Sequence, residues 1–257
     1  MISGLGDLNF VAVIPARMGS SRFPGKPLAQ IAGKSMIQRV WENVESSRLV
    51  SSTFVATCDY EISSHVNEFG GQSVMTSKSH ERASDRCAEA LPKIEEMLGK
   101  KIDVLVMIQG DEPLIDGSMI DEVCVPFIDD RSLQVANLAT KISNFEEFNN
   151  PNTIKVVMDD AGDALYFSRS PIPYVNSSEF PSNVLKQVCA IPFRRDFLLR
   201  YTQLAPTRLE ILESIDMLRI LESRAAKVRM IDVAGVFHAV DHESDIGIVE
   251  SILKRCD

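Results

Sequence analysis

Phe10-Val11-Ala12-Val13-Ile14-Pro15-Ala16-Arg17-Met18-Gly19-Ser20-Ser21-Arg22-Phe23-Pro24-Gly25-Lys26-Pro27 is the stretch on which the reading of this chain turns. An apolar strand runs straight into a loop that holds two glycines, two serines, two arginines and a lysine. Small residues let backbone N–H groups come close to an anion, and fixed cations offset its charge. Such a cation density at the carboxyl end of a strand suits a nucleotide triphosphate better than a neutral ligand. The loop is not a common P-loop, because five residues separate Gly19 from Gly25 and Pro27, not Ser or Thr, follows Lys26.

At 257 residues the chain has room for one large α/β domain, or for a core with a smaller appendage. A hydrophobic content of 45% and a charged content of 25% are ordinary for a globular protein. No apolar run approaches the roughly 20 residues of a membrane span, and the first nine residues lack the pattern of an export signal. The five cysteines (Cys58, Cys87, Cys124, Cys189, Cys256) are odd in number and form no C-x-x-C pair. That usage disfavours a disulfide framework or a zinc site and fits a reducing cytoplasm. A net charge of −9 argues against general nucleic-acid binding, so the cations of the first loop mark a local anion pocket.

Strand and helix patterns alternate beyond the loop. Ser35 stands as a cap before Met36, Ile37, Val40, Trp41 and Val44, which recur at helical spacing. Phe54-Val55-Ala56-Thr57 predicts a second strand, residues 61–69 a helix ended by Gly70-Gly71, and Ser73-Val74-Met75 a third strand. Residues 85–98 predict a helix, and Val104-Leu105-Val106-Met107-Ile108 a central strand of a parallel sheet. The alternation implies βαβ units with helices on both faces. It breaks at Ile154–Met158 and Ala164–Phe167, which predict a hairpin whose turn holds Asp159, Asp160 and Asp163. Prolines 171, 173 and 181 predict an exposed arm over 170–185. Leu209, Leu212, Ile215, Leu218 and Leu221 predict one amphipathic helix, followed by a strand near Val228–Ile231 and a helix from Ser244.

Gln109-Gly110-Asp111-Glu112-Pro113 leaves the central strand at the edge where such sheets bind ligands. A carboxylate there is a Mg²⁺ ligand beside phosphate oxygens or a helix cap, and both readings stand for Asp111. Asp241 carries the same two readings ahead of the last helix. His238 and His242 have the spacing of a zinc pair but show no third ligand, and the cysteines lack a histidine partner.

With these motifs and Ala164-Leu165-Tyr166-Phe167-Ser168-Arg169, the chain resembles the 3-deoxy-manno-octulosonate (Kdo) cytidylyltransferases from about Asn9 onward. The resemblance implies a doubly wound, mostly parallel α/β sheet of the nucleotide-diphospho-sugar transferase type. It also implies a single domain over 1–257, with a hairpin, arm and helix region at 154–220 that builds the sugar-acid pocket and a homodimer contact. The implied reaction moves CMP from CTP to the anomeric hydroxyl of a sugar acid, with Mg²⁺ and release of pyrophosphate. By position, Ala16, Arg17, Gly19, Ser20, Ser21, Arg22 and Lys26, with Arg82, Ala83, Arg86 and Gln109, would bind the nucleotide. Arg17, Arg22, Lys26 and Asp111 would carry catalysis, Asp111 and Asp241 would hold Mg²⁺, and Gln109, Arg169, Gln187 and Asp216 would meet the sugar acid.

The chain departs from the family pattern in places. Arg82-Ala83 stands where a small residue and a glycine are usual, and Ala83 takes a positive φ less freely than glycine. Gln187 replaces a sugar-binding histidine, Ile191 falls within the same altered segment, and Asp216-Met217 replaces Glu-Gln, which removes a polar partner. Two further readings therefore stand beside the first: a different acceptor (a nonulosonic acid, or a small phosphonate or carboxylate), and a nucleotide binder without turnover.

Overall fold

The computed structural model describes residues 8–19, 22–176 and 179–256. β1 (Phe10–Ala16) is buried at every residue except Pro15. Phe10, Ala12 and Ile14 enter one apolar cluster while Val11 and Val13 enter another, so the strand is covered on both faces. The loop after it contains a 3-10 turn at Lys26–Leu28, entered through Gly25 at φ 75°, a left-handed conformation that glycine adopts without strain. The hairpin of β2 (Gln30–Ile31) and β3 (Lys34–Ser35) leads into α1 (Met36–Glu45), whose N-cap Ser35 accepts the Gln38 N–H. Then β4 (Val50–Thr57), α2 (Tyr60–Glu68), β5 (Gln72–Met75), α3 (Ala83–Leu98) and β6 (Val104–Ile108) alternate as the sequence predicts.

The later chain adds α4 (Gly117–Cys124), α5 (Pro126–Asp129), β7 (Ala136–Lys141) and α6 (Phe145–Asn149). The predicted hairpin follows as β8 (Lys155–Met158) and β9 (Ala164–Ser168), then β10 (Leu185–Val188), β11 (Ala190–Arg194) and α7 (Arg195–Tyr201). α8 (Arg208–Glu213), α9 (Met217–Glu222), β12 (Arg229–Asp232) and α10 (Asp245–Cys256) complete it. One sheet has the order β11-β6-β1-β4-β5, parallel throughout except for β11. The other has the order β12-β7-β10-β8-β9 and is largely antiparallel. The hairpin is thus part of a second five-stranded sheet, and Val156 and Phe167 share an apolar cluster with Val11 and Phe54. Only Cys189 separates β10 from β11, and its carbonyl accepts the Gln109 N–H at 3.0 Å, so the sheets meet beside the Gln109–Pro113 motif.

The single helix expected over Leu209–Leu221 is two short helices. Ser214 sits at φ 55°, in the left-handed region, between α8 and α9. The cause is tertiary: Arg169 Nε takes the Glu213 carbonyl at 2.7 Å, and the Glu213 carboxylate accepts Ser168 Oγ at 2.7 Å and the Arg169 N–H at 2.9 Å. With its last carbonyl claimed from outside, α8 stops there, and Leu212 lies exposed instead of on a core stripe.

Candidate active site

β1 and β6 run parallel in register, so the basic loop and Gln109–Pro113 leave the same edge of the sheet. Asp59, just beyond β4, fixes the loop by accepting the Met18 N–H at 2.8 Å. Gly25 N–H closes back on Met18 O at 3.1 Å, and this fold of the backbone turns Lys26 inward. Lys26 Nζ donates to Asp111 Oδ2 at 2.7 Å and to Val240 O at 2.8 Å. The Val240 N–H donates to the Asp111 carbonyl at 2.9 Å, which stitches in a third, remote segment. The next residue, Asp241, pairs through Oδ1 with Arg22 Nη2 at 2.7 Å.

Two cations of the first loop, Arg22 and Lys26, and the two distant acids therefore converge. Neither acid caps a helix. Asp116 caps α4, and Asp245 accepts the N–H groups of Asp241 at 2.8 Å and His242 at 2.7 Å. Asp111 and Asp241 are hard oxygen donors on two strands of chain held by one backbone hydrogen bond, a donor set that fits Mg²⁺. Among the described residues no group of three or more His, Cys, Asp and Glu is placed to hold a metal, so phosphate oxygens and water would complete a shell.

Two adjoining clefts open on this junction. One, of about 410 Å³, takes in Ala16, Arg17, Gly19, Lys26, Ala83 and Arg86. The other, of about 600 Å³, takes in Arg169, Lys186, Gln187 and Asp241. Arg22, Gln109, Asp111, Ser214 and Asp216 line both. Of the described residues that the sequence assigns to the nucleotide, Ala16, Arg17, Gly19, Lys26, Arg82, Ala83 and Arg86 line the smaller cleft alone, and of those assigned to the sugar acid, Arg169 and Gln187 line the larger alone.

Individual side chains carry further detail. Arg17 is exposed and donates to His80 O at 3.4 Å. Arg86 is buried, bonds Thr76 Oγ1 at 2.5 Å and Ser77 O at 3.3 Å, and leaves Nη2 without a hydrogen-bond partner. Ser20 and Ser21 lie outside the described residues. Arg82 lines the smaller cleft, where Nη1 bonds Ser214 Oγ at 3.0 Å and Nε lies 3.5 Å from Glu210 and 3.8 Å from Asp216. Ala83 is the first residue of α3 and is not among the positive-φ residues, so the glycine it replaces is not needed for conformation. Ser84 Oγ donates to Asp216 Oδ2 at 2.8 Å, while burial pushes the Asp216 carboxyl above its ordinary value against that bond and Arg82.

Gln187 Nε2 donates to Asn137 Oδ1 at 2.5 Å on the floor of the larger cleft. Met217 and Ile191 are buried in the core cluster beneath. Arg169 reaches the cleft but directs three donors to backbone carbonyls, of Glu213, Pro151 and Ser214. A carboxylate facing it competes with those contacts.

Sequence reasoning missed three features. Glu112, in the quoted motif, is buried with Oε2 unpartnered; burial, then the Asp111 and Asp241 charges, push its carboxyl up to about 8 against Lys186 and the Cys189 N–H. Lys186 pairs with Glu147 across the larger cleft. Asn152 Oδ1 accepts Arg22 Nη1 at 2.6 Å. The first could have been suspected from an acid beside Asp111 on a buried strand end; the other two pairs are remote in sequence and leave no local signal.

A parallel sheet edge with a cationic loop, two remote acids and twin clefts defines a nucleotidyltransferase, and a family model described as cytidylyltransferase matches residues 11–230. The chain belongs to that cytidylyltransferase family. Over 258 residues it is 41% identical to the 3-deoxy-manno-octulosonate cytidylyltransferase of Geobacter metallireducens, which covers 96% of this chain and 99% of that one. The protein of the same name from Geobacter sulfurreducens is 40% identical with the same coverage. The solved structure of CMP:2-keto-3-deoxy-manno-octonic acid synthetase complexed with CTP superposes with a TM-score of 0.86 at 39% identity, covering 96% of this chain and 99% of that one. Within the cytidylyltransferases, then, the chain is a member of the 3-deoxy-manno-octulosonate cytidylyltransferase family.

Proposed function

We propose that this protein transfers CMP from CTP to the anomeric hydroxyl of Kdo and releases pyrophosphate, with Asp111 and Asp241 holding Mg²⁺. The observation that carries this reading is the junction of Lys26, Asp111 and Val240, where the two clefts share Arg22, Gln109 and Asp111. In-line displacement at an α-phosphate asks for positioning and charge neutralisation more than for covalent catalysis. Arg17, Arg22 and Lys26 supply three fixed positive charges on the triphosphate side. Asp59 and Gly25 keep the loop folded so that Lys26 stays at the junction. Gln109 and Asp216 lie where an acceptor in the larger cleft would meet the nucleotide. When bound, Mg²⁺ supplies charge neutralisation at the phosphoryl oxygens and acidifies a nearby hydroxyl.

Purified protein given CTP, Mg²⁺ and Kdo should release pyrophosphate, followed by phosphate detection after pyrophosphatase. A preparation that turns over nonulosonic acids or small phosphonates but leaves Kdo untouched would sink the acceptor assignment. Removing Mg²⁺ with a chelator should abolish turnover. We also propose a cytoplasmic homodimer. Exposed Leu165 on β9, Tyr174 in the arm and Leu212 on α8 support the contact, and free Cys58, Cys87, Cys124 and Cys189 support a reducing compartment. Sedimentation equilibrium at the monomer mass would contradict the dimer. Among the described residues no helix is long and apolar enough to cross a membrane.

A further inference from the structure

Lys155 on β8 is fully buried, an unusual place for an ammonium. It is tolerated there because all three donors are met: Nζ bonds Asn150 O at 2.9 Å, Thr153 O at 2.6 Å and Arg169 O at 2.6 Å. Burial first, then the Arg169 charge, draw the amine down to about 8, with Glu213 opposing, so it keeps its proton at neutral pH. An apolar side chain would fill the strand position as well. What it could not do is gather three carbonyls from two segments.

The turn gathered in this way, residues 150–153, touches both sides of the site. Asn152 Oδ1 accepts Arg22 Nη1 at 2.6 Å, and Pro151 O accepts Arg169 Nη1 at 2.9 Å. Arg22 itself is a long side chain, 47% exposed, whose other anchor is Asp241 at 2.7 Å. Left to solvent it would sample many rotamers. A second anchor on a rigid turn pre-organises the guanidinium, so less freedom is lost when an anion binds.

We propose that Lys155 and Asn152 are positioning residues: the buried ammonium shapes the 150–153 turn so that Asn152 holds Arg22 at the nucleotide cleft. This rests on the reading of Arg22 as a triphosphate contact. Neither residue need touch substrate for the clamp to work.

Calorimetric titration of the full chain with CTP and Mg²⁺ tests it. Asn152→Ala should weaken CTP binding about tenfold, the scale of losing one hydrogen bond to a charged group. Lys155→Met should weaken it in the same direction, and the double variant should stay within about twofold of Asn152→Ala, because both act through one link. Should Lys155→Met fail to fold, Lys155→Gln retains two N–H donors and takes its place in the cycle. A purely structural lysine would lower the melting temperature, yet its effect on CTP affinity would be absent or would multiply with that of Asn152→Ala. Either result, or an unchanged affinity in Asn152→Ala, overturns the clamp. Wild-type protein that binds CTP but gives no pyrophosphate with Kdo fails the acceptor reading alone, whereas no CTP binding at all fails both.

Discussion

Replacing Glu210 by Gln keeps the shape of a fully buried side chain and removes its charge. Glu210 and Arg219 are 0% and 2% exposed and form a two-pronged pair, Nε to Oε2 at 2.7 Å and Nη2 to Oε1 at 2.6 Å. The same carboxylate accepts the Thr207 N–H at 3.2 Å and faces Arg82 Nε at 3.5 Å. Arg219 lies over the Tyr201 ring, 5.1 Å from its centre, and the Tyr201 hydroxyl donates to Asp216 O at 2.9 Å. With Glu210 neutral, the buried guanidinium retains, among the described residues, only Asp85, 3.6 Å away, as an acidic partner. Breaking one half of a buried pair costs about 3–5 kcal/mol. For a chain of this size that is a melting shift of about 6–20 °C downward. Urea and thermal denaturation of Glu210→Gln and Arg219→Met should each show it. The double variant Glu210→Leu/Arg219→Met should lose less than the sum, since no charge is then stranded. A single-variant loss below about 1 kcal/mol, the size of an exposed pair, refutes the reasoning.

Gly25→Ala should lower stability by about 1–2 kcal/mol, because an L side chain at φ 75° is strained. Its added Cβ would meet only Met18 Cε at 3.7 Å, an ordinary contact, so a larger loss in denaturation would contradict a purely conformational cost. For Glu89, burial works to raise the carboxyl, but Lys93, the Ser77 N–H and His80 hold it down at about 2. A carboxyl depressed on folding stabilises above its ordinary 4.5 and loses that contribution as pH falls from there towards 2. The advantage of wild type over Glu89→Gln in urea denaturation should therefore narrow across this window, and a constant gap would contradict it.

Much of the site was legible because its signals are local. An apolar run such as Phe10–Ala16 or Val104–Ile108 announces a buried strand, and charged residues straight after it must lie at the sheet edge. The parallel strands of the first sheet and their helices follow from that periodicity. The second sheet was legible at its hairpin and at the strand near Val228–Ile231. Ala136–Lys141, Leu185–Val188 and Ala190–Arg194 were not assigned: β7 pairs with β10 some fifty residues away, β11 joins the first sheet beside the still more distant β6, and such pairing has no short-range mark. The break at Ser214 went unseen for the same reason: Arg169 and Ser168, far back in the chain, take the groups that would have continued the helix. Nothing local marks Lys155, within the predicted strand Ile154–Met158, as buried; the three carbonyls around it do. Arg82 lines the smaller cleft beside the other residues assigned to the nucleotide, and only the fold brings Glu210, Ser214 and Asp216 within its reach as well.

Asp111 and Asp241, 130 residues apart in the chain, are proposed to act together on one magnesium nucleotide. Initial rates of pyrophosphate release from CTP and Kdo, with Mg²⁺ varied, test this most directly in Asp111→Asn, Asp241→Asn and the double variant. Each single change should cost at least about 10²-fold in kcat, and the double should be little worse than either, as for groups that work as a unit. Near wild-type turnover in Asp241→Asn, with an unaltered Mg²⁺ dependence, would contradict the account.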